Sequence, residues 1–526
     1  MPSQPPKVPK PCLLRDVLAG VMECPEHLGS VLVSSVTADS RSITGNAITG
    51  NTPSGCLFVA VAGDSTAVSS INDAIARGAG IIIAGQSIAD WSAIQANNIP
   101  LLEVANPRQA LARIAANFFK RPADSLNIIA VTGTNGKTTS CWLLEQALAE
   151  LGNLTLRLGT AGNSLRGFFT EPSTLTTPGP VELQQNFALA LEHGAKFVSL
   201  EASSHALVQG RLAEVPVSVA LFTNLSRDHL DYHETFVAYE LAKRGLFDLL
   251  KPDGCAVVNI DLSTGQRFAE YCEKIERKVI SFGSSTQADV KLIKTETTFL
   301  NGVTSGSAVS ISYFGTSLVL LTPLIGDFNA ENIVGVFTCL SVLGFSPEQS
   351  QKALVKATGA PGRLERITHA GRTVFVDYAH TPDALQRALI ALRAITKPDN
   401  SLTVVFGCGG DRDTGKRPLM GEVAAKYADK VIITSDNPRT EDPLKIIAEI
   451  RGIACVNSTS VNSTSVNFTM QPDRALAISE AVSQMKVGDV LLVAGKGHEN
   501  YQIFKDQTVE FSDSSTVLEA LKRSFN

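Results

Sequence analysis

Residues 126–152 read LNIIAVTGTNGKTTSCWLLEQALAELG. An apolar run of strand character passes through a Gly-rich turn into a segment with Leu143, Leu144, Ala147, Leu148 and Leu151 at helical spacing. A strand that hands over to a helix through such a turn demands a parallel sheet with helices on its faces, because the turn places the helix N-terminus at the strand's carboxyl end. Gly133 and Gly136 free the backbone so that successive N–H groups can converge on phosphate oxygens, with the helix dipole adding a favourable field. The cradle is then Gly133, Thr134, Asn135, Gly136, Lys137, Thr138 and Thr139, with Lys137 neutralising the β/γ-phosphates of a nucleotide and the Thr138 hydroxyl placed to coordinate Mg²⁺. The usual G-x-x-x-x-G-K pattern would have Gly where Val131 stands.

The chain has 526 residues, too many for one core. Strand and helix stretches alternate in three segments, which predicts an α/β protein of three domains: a small N-terminal α/β unit over 1–106, a central doubly wound parallel sheet with the phosphate loop over 107–361, and a Rossmann-like α/β unit over 362–526. A formal net charge of −5 leaves no electrostatic footprint for nucleic acid or an anionic membrane. No apolar run reaches the ~20 residues that span a bilayer. The nine cysteines are scattered without a C-x-x-C pair, which points to reduced thiols in a cytoplasm rather than to disulfides or zinc. Residues 1–14 have no signal-peptide apolar core and are expected to be a frayed leader. Residues 456–470, VNSTS VNSTS VNFTM, repeat a polar pentapeptide and are expected to form an expanded surface loop.

Two further stretches end strands in polar clusters, SLEASSHALVQGR (199–211) and TNLSRDHLDYH (223–233). They bring Glu201 and His229 to the side of the phosphate loop, a carboxylate and an imidazole suited to a divalent metal on the nucleotide. Lys243, in YELAKRGLF (239–247), reads by itself as a solvated helix face.

Together TGTNGKTT, EASSHALVQGR, TNLSRDHLDYH and YELAKRGLF closely resemble the Mur ligases, the ATP-dependent amide-bond-forming enzymes of bacterial cell-wall synthesis. The resemblance continues through GDFNAEN (326–332), PGRLE (361–365), DYAHTPDAL (377–385), FGCGGDRDTGKRPLMG (406–421) and VAGKGHENYQ (493–502), and is nearest the members that add the third residue of the peptide. Val131 is normal for that family. The resemblance implies that Lys243 is a carbamate, N6-carboxylysine formed with CO₂, which together with Thr138, Glu201 and His229 holds Mg²⁺, two ions in all. It implies a substrate carboxylate activated as an acyl phosphate, attack by an amine, and release of ADP and phosphate. Lys137, Glu201, His229 and Lys243 are the implied catalytic set. Asn329, Asn332, Arg363, Asp377, His380 and Lys416 are the implied further ATP contacts.

For the nucleotide-sugar substrate, UDP-N-acetylmuramoyl-L-alanyl-D-glutamate, the resemblance implies Ser40 on the uracil side and Thr176, Thr177, Ser203, Gln209 and Arg211 along the pyrophosphate and peptide, with residues 1–106 as its domain. The loop SITGNAITGNTPSG (42–55) is longer than the family's, and DSTAVSSINDA (64–74) lacks the family's Asp-Gly pair. The sequence SDNPRTEDP (435–443) bears on the amine. Lysine ends in an ammonium alone, whereas meso-2,6-diaminopimelate ends in a carboxylate and an ammonium on one carbon. Arg439 presents a planar guanidinium suited to the carboxylate, and Glu499 with the Gly495 carbonyl suits the ammonium. Asp436, Asn437, Pro438 and Arg412 match the family's other diaminopimelate positions. Thr440, Glu441 and Asp442 are expected to form a turn and open the next helix. The competing readings are the lysine-adding Mur ligase, folylpolyglutamate synthase, and a catalytically silent nucleotide-binding module. A monomer acting in the cytoplasm is the expected state.

Overall fold

The computed structural model describes residues 10–43, 55–61, 64–86, 99–300, 303–452, 467–505 and 507–525. The expectations for the N-terminal leader lie largely outside these residues, as do those for most of the 42–55 loop and the first two pentapeptide copies.

Three separate sheets carry the fold, as the alternating pattern requires. The N-terminal sheet has four parallel strands in chain order, Ser35–Thr37, Cys56–Val59, Ile81–Gly85 and Leu101–Val104. The central sheet has eleven strands. At its middle Asn127–Thr132 lies between the parallel strands Phe197–Glu201 and Val217–Phe222. Both faces of the middle strand are covered: Ile129 and Val131 enter one core, Ile128 and Ala130 the other. That explains its continuous apolar run, since a parallel strand has no solvent face. After Asn127–Thr132 the chain moves to one side of it, and after Phe197–Glu201 it crosses to the other. A crevice opens where the order reverses, at the strands' carboxyl ends.

Both edges of this sheet carry antiparallel strands that the sequence reading did not separate. Val290–Leu300, Val303–Tyr313 and Thr316–Thr322 form the larger addition. The last two are joined by Phe314 and Gly315, both at positive φ (44° and 87°), the two-residue geometry that matches strand twist.

The C-terminal sheet runs in the order Glu365–His369, Arg372–Asp377, Val490–Ala494, Leu402–Phe406, Lys430–Ile433, Asn467–Met470, parallel except for the first. Its outer strand corrects the surface-loop expectation for 456–470. The decayed copy is not loop throughout: Asn467–Met470 pairs with Lys430–Ile433 because Phe468 in place of a serine gives that copy an apolar residue to pack against the core. The expected turn after Arg439 is present: Glu441 N–H donates to the Pro438 carbonyl, and Asp442 caps helix Pro443–Arg451 through Leu444 N–H. The Glu441 carboxylate also reaches the guanidinium of Arg417 at 2.8 Å.

Arg474 and Asp513 form a fully buried, bidentate ion pair, both bonds 2.7 Å. The same guanidinium donates to the Ser435 and Ala494 carbonyls, tying together the ends of the two strands that flank Leu402–Phe406 in the C-terminal sheet. Removing one partner strands a charge in low dielectric. Arg474→Met should therefore lower unfolding free energy by about 3–5 kcal/mol, read from urea denaturation.

Candidate active site

The phosphate loop is held from outside as well as by its own turn. Thr134 N–H donates to the Asn224 carbonyl and Asn135 N–H to Asn224 Oδ1, each 2.9 Å. The Thr223 hydroxyl donates to the Asn135 carbonyl at 2.6 Å. Gly133, at φ 151°, lies so close that a Cβ would stand 2.0 Å from Thr223 Oγ1. Gly136, at φ 89°, meets Asn332 in the same way, 2.3 Å from its Oδ1. Asn332 and Asn329 are buried on the first turns of helix Asp327–Val342, with Asn329 Nδ2 donating to the Ile325 carbonyl at 2.9 Å. Gly136 ends the loop and helix Lys137–Glu150 begins, with Thr138 and Thr139 buried in its first turn.

Two lysines point into this loop. Lys137 Nζ donates to the Gly133 and Thr134 carbonyls at 2.9 Å each, and Lys243 Nζ donates to the same Gly133 carbonyl at 2.8 Å. Lys243 is 1 % exposed, so it is not the solvated helix position it resembles when helix Phe236–Arg244 is read alone. Burial, then Lys137, depresses its ammonium well below the ordinary range, and Asp228 opposes this weakly. Burial depresses Lys137 too. Asp228 is the anion of the group: burial opposes its ionisation, but His229, His380 and Lys137 outweigh that and hold it below the usual carboxylate range. His229, at φ 52°, stands 3.4 Å from Asp228 and is pushed down to about 4 by desolvation and the nearby ammonium groups, so its imidazole is neutral near pH 7.

Glu201 ends its strand buried at the loop. Thr138 Oγ1 donates to its Oε2 at 3.0 Å, and Thr160 N–H to its Oε1 at 2.8 Å. These groups fit the implied Mg²⁺. They are hard oxygen and neutral imidazole donors of the kind a divalent cation takes together with substrate phosphates. Lys243, whose ammonium is disfavoured by burial beside Lys137, likewise fits conversion to an anionic carbamate.

A second group lies next to Glu201. Thr177 Oγ1 donates to the Glu201 carbonyl at 2.7 Å and accepts from Ser203 N–H at 3.1 Å. Thr176 Oγ1 is 3.2 Å from Thr160 Oγ1. Arg211 donates to the Thr177 carbonyl at 2.8 Å and to Gln209 Oε1 at 2.6 Å. Ser40 stands apart, in a short turn capped by Asp39 in the N-terminal unit.

The C-terminal sheet reaches the loop through Arg363, whose Nη2 donates to Thr138 Oγ1 at 3.2 Å. Asp377 accepts from Leu364 N–H at 2.6 Å and Ala379 N–H at 2.9 Å. Lys416 Nζ donates to the His380 carbonyl at 2.8 Å. Burial, then Lys416, lowers the His380 imidazole, with Asp228 of the central domain opposing.

The polar ends of the same sheet gather the remaining residues. Asp436, Asn437 and Pro438 are buried, and Gly495 packs against Asp436. Asn437 Nδ2 donates to Glu499 Oε2 at 3.0 Å. Arg439, at φ 53°, is clamped to the hairpin Tyr501–Glu510: its N–H donates to the Ile503 carbonyl, and its carbonyl accepts from Lys505 N–H. Its Nη1 donates to the Gly410 carbonyl at 2.7 Å, and Arg412 is exposed on the same side of Gly409. The sequence reading missed Lys496, Tyr378, Asp228 and Arg417. All four lie inside motifs quoted above, Lys496 in VAGKGHENYQ, Tyr378 in DYAHTPDAL, Asp228 in TNLSRDHLDYH and Arg417 in FGCGGDRDTGKRPLMG, the one signal that could have raised them.

Sequence profiles match in two places: the Mur ligase middle domain at residues 131–340 and the Mur ligase glutamate ligase domain at residues 362–497. The chain is 37% identical over 496 residues to the UDP-N-acetylmuramoyl-L-alanyl-D-glutamate–2,6-diaminopimelate ligase of Syntrophomonas wolfei, covering 93% of this chain and 95% of that one. This chain belongs to the Mur ligase family. A solved structure of an enzyme with the same name superposes with a TM-score of 0.69 at 31% identity, covering 98% of this chain and all of the other. A MurF ligase of Thermotoga maritima in complex with ADP shares the fold at TM-score 0.60 and 18% identity, over 93% of this chain and 97% of that one.

The contact between Gly136 and Asn332 gives a direct test. Gly136→Ala in this Mur ligase should weaken binding of a non-hydrolysable ATP analogue at least about tenfold, roughly 1.4 kcal/mol, in calorimetric titration. Far-UV circular dichroism should be unchanged.

Proposed function

We propose that this Mur ligase joins meso-2,6-diaminopimelate to UDP-N-acetylmuramoyl-L-alanyl-D-glutamate in peptidoglycan synthesis, with ATP as the energy source and ADP and phosphate as products. The observation that carries the reading is the juxtaposition of a phosphate loop with a guanidinium–amide–carboxylate set, Arg439, Asn437 and Glu499, on a neighbouring sheet linked to it through Arg363.

A bare carboxylate is a poor electrophile, and an acyl phosphate supplies the leaving group an amine needs. Bringing a carboxylate to the γ-phosphate sets two anions against each other. The chain answers with the N–H groups that open helix Lys137–Glu150, with Lys137 and with Arg363, all positioned before substrate arrives. Mg²⁺, held by Thr138, Glu201 and His229 with Lys243 as its carbamate, would spread the remaining phosphate charge. Asn329, Asn332, Asp377, His380 and Lys416 would make the further contacts to ATP. Thr176, Thr177, Ser203, Gln209 and Arg211 would take the pyrophosphate and peptide end of the nucleotide sugar, and Ser40 its uracil side. Residues 1–106, 107–361 and 362–526 would serve as the nucleotide-sugar, ATP and amino-acid domains.

The amine end discriminates substrates. Arg439 pairs with a carboxylate and repels the lone ammonium of lysine, while Glu499 and the Gly495 carbonyl take the diaminopimelate ammonium. A monomer acting in the cytoplasm is the proposed state.

Arg439→Ala should lose most diaminopimelate ligation, with kcat/KM down at least about a hundredfold, near the 2–5 kcal/mol of a lost buried charge contact, and nucleotide affinity intact. Unchanged diaminopimelate affinity would sink the assignment. Lys137→Ala should abolish turnover, and continued ATP-dependent product formation would refute the role of the loop.

A further inference from the structure

The surroundings of Glu499 decide which of its two oxygens a ligand can reach. Oε2 already accepts from Asn437 Nδ2 and from Lys496 Nζ, both at 3.0 Å. Oε1 has one long contact, 3.4 Å from the Tyr378 hydroxyl, and the side chain keeps 18 % exposure. Lys496 is fully buried and spans the gap between Glu499 and Asn437 Oδ1, 3.1 Å away. That amide oxygen also accepts from Ile503 N–H at 3.1 Å. An amide oxygen facing an ammonium and a backbone N–H cannot be exchanged with its nitrogen without setting both of those donors against a third donor. The Asn437 NH₂ is thereby committed to Glu499.

Charge enters through the same contacts. Lys496 places an ammonium directly against Glu499 Oε2, the oxygen that a ligand cannot reach. Arg412, Arg439 and Asp411, the last bonded to Thr440, stand on the other side. A head group with a carboxylate and an ammonium on one carbon is neutral overall and can place each charge on its partner. A lone ammonium adds a further positive charge beside Lys496, with half of the nearest carboxylate already engaged.

We propose that Lys496 is a specificity-positioning residue. It locks Glu499 and Asn437 so that only Glu499 Oε1 is offered, and its own charge biases the cleft toward a zwitterionic amino-acid head group and against a simple diamine side chain. The inference rests on the proposed diaminopimelate reading and assigns to a residue with no substrate contact part of the discrimination given there to Arg439.

The test is phosphate release by the full-length chain with ATP and UDP-N-acetylmuramoyl-L-alanyl-D-glutamate, comparing meso-diaminopimelate with L-lysine, for wild type, Lys496→Met and Lys496→Gln. The glutamine variant keeps a hydrogen-bonding group should the apolar one fail to fold. We expect either variant to raise KM for diaminopimelate at least about tenfold, and to narrow the diaminopimelate-to-lysine ratio of kcat/KM at least about tenfold, roughly 1.4 kcal/mol. KM for ATP and for the nucleotide sugar should stay within about twofold. A folded variant with the wild-type ratio, or one that loses activity equally with both amino acids, overturns the role of Lys496 and leaves the diaminopimelate reading standing. A wild-type chain that does not use diaminopimelate overturns that reading first, before any variant is compared.

Discussion

One carbonyl, that of Gly133, receives the ammonium groups of both Lys137 and Lys243. Two buried cations on one acceptor are costly unless anions or deprotonation relieve them, because desolvation and mutual repulsion act in the same direction. Asp228 supplies part of the relief, and burial beside Lys137 pushes the Lys243 ammonium well below the ordinary range. The loop therefore stands ready for phosphate, which would return the missing negative charge. Gly133 and Gly136, the supports from Thr223 and Asn224, and the closeness of Asn332 all serve to keep that carbonyl and the adjoining N–H groups in place.

From this centre the rest of the molecule is organised by a few polar bridges between rigid sheets. Arg363 carries the guanidinium of the C-terminal unit to Thr138 and stacks 4.4 Å over Tyr378, whose hydroxyl lies near Glu499. The phosphate loop and the amino-acid cleft are thus ends of one short chain of contacts. Behind the cleft, Arg474 with Asp513 fixes the ends of two strands, and Arg417, fully buried between Glu441 and Glu449, ties the residues after Arg439 to helix Lys416–Tyr427. A positive-φ arginine such as Arg439 costs roughly 1–3 kcal/mol and persists only where its surroundings over-determine it. The hairpin bonds on both sides of it provide that constraint.

What was legible in the sequence follows from what is local. The phosphate loop is contiguous, so its strand, glycines, lysine and helix can be read without knowing the fold. The alternation of strands and helices likewise announced parallel α/β sheets. Lys243 was legible only through the resemblance, since its burial depends on packing against a loop more than 100 residues away. Arg474 and Asp513, 39 residues apart, show no pattern that announces their pairing. Lys496 is masked in the same manner, as a lysine in a Gly-rich turn reads as solvated until the sheet closes over it. The edge strand Asn467–Met470 was hidden by its likeness to the polar repeat before it, and the strands at 290–322 by a Phe-Gly turn where Asn-Gly or Asp-Gly would have been conspicuous.

The central claim is that the chain couples ATP cleavage to amide formation with an amine whose far end bears both a carboxylate and an ammonium. Phosphate release with ATP, Mg²⁺ and UDP-N-acetylmuramoyl-L-alanyl-D-glutamate, run in parallel with meso-diaminopimelate and with L-lysine, tests it most directly. The account predicts amine-dependent phosphate release with diaminopimelate and at most a trace with lysine, matched by a product heavier by one diaminopimelate residue. Equal or greater release with lysine, or no amine-dependent release with either, would contradict it.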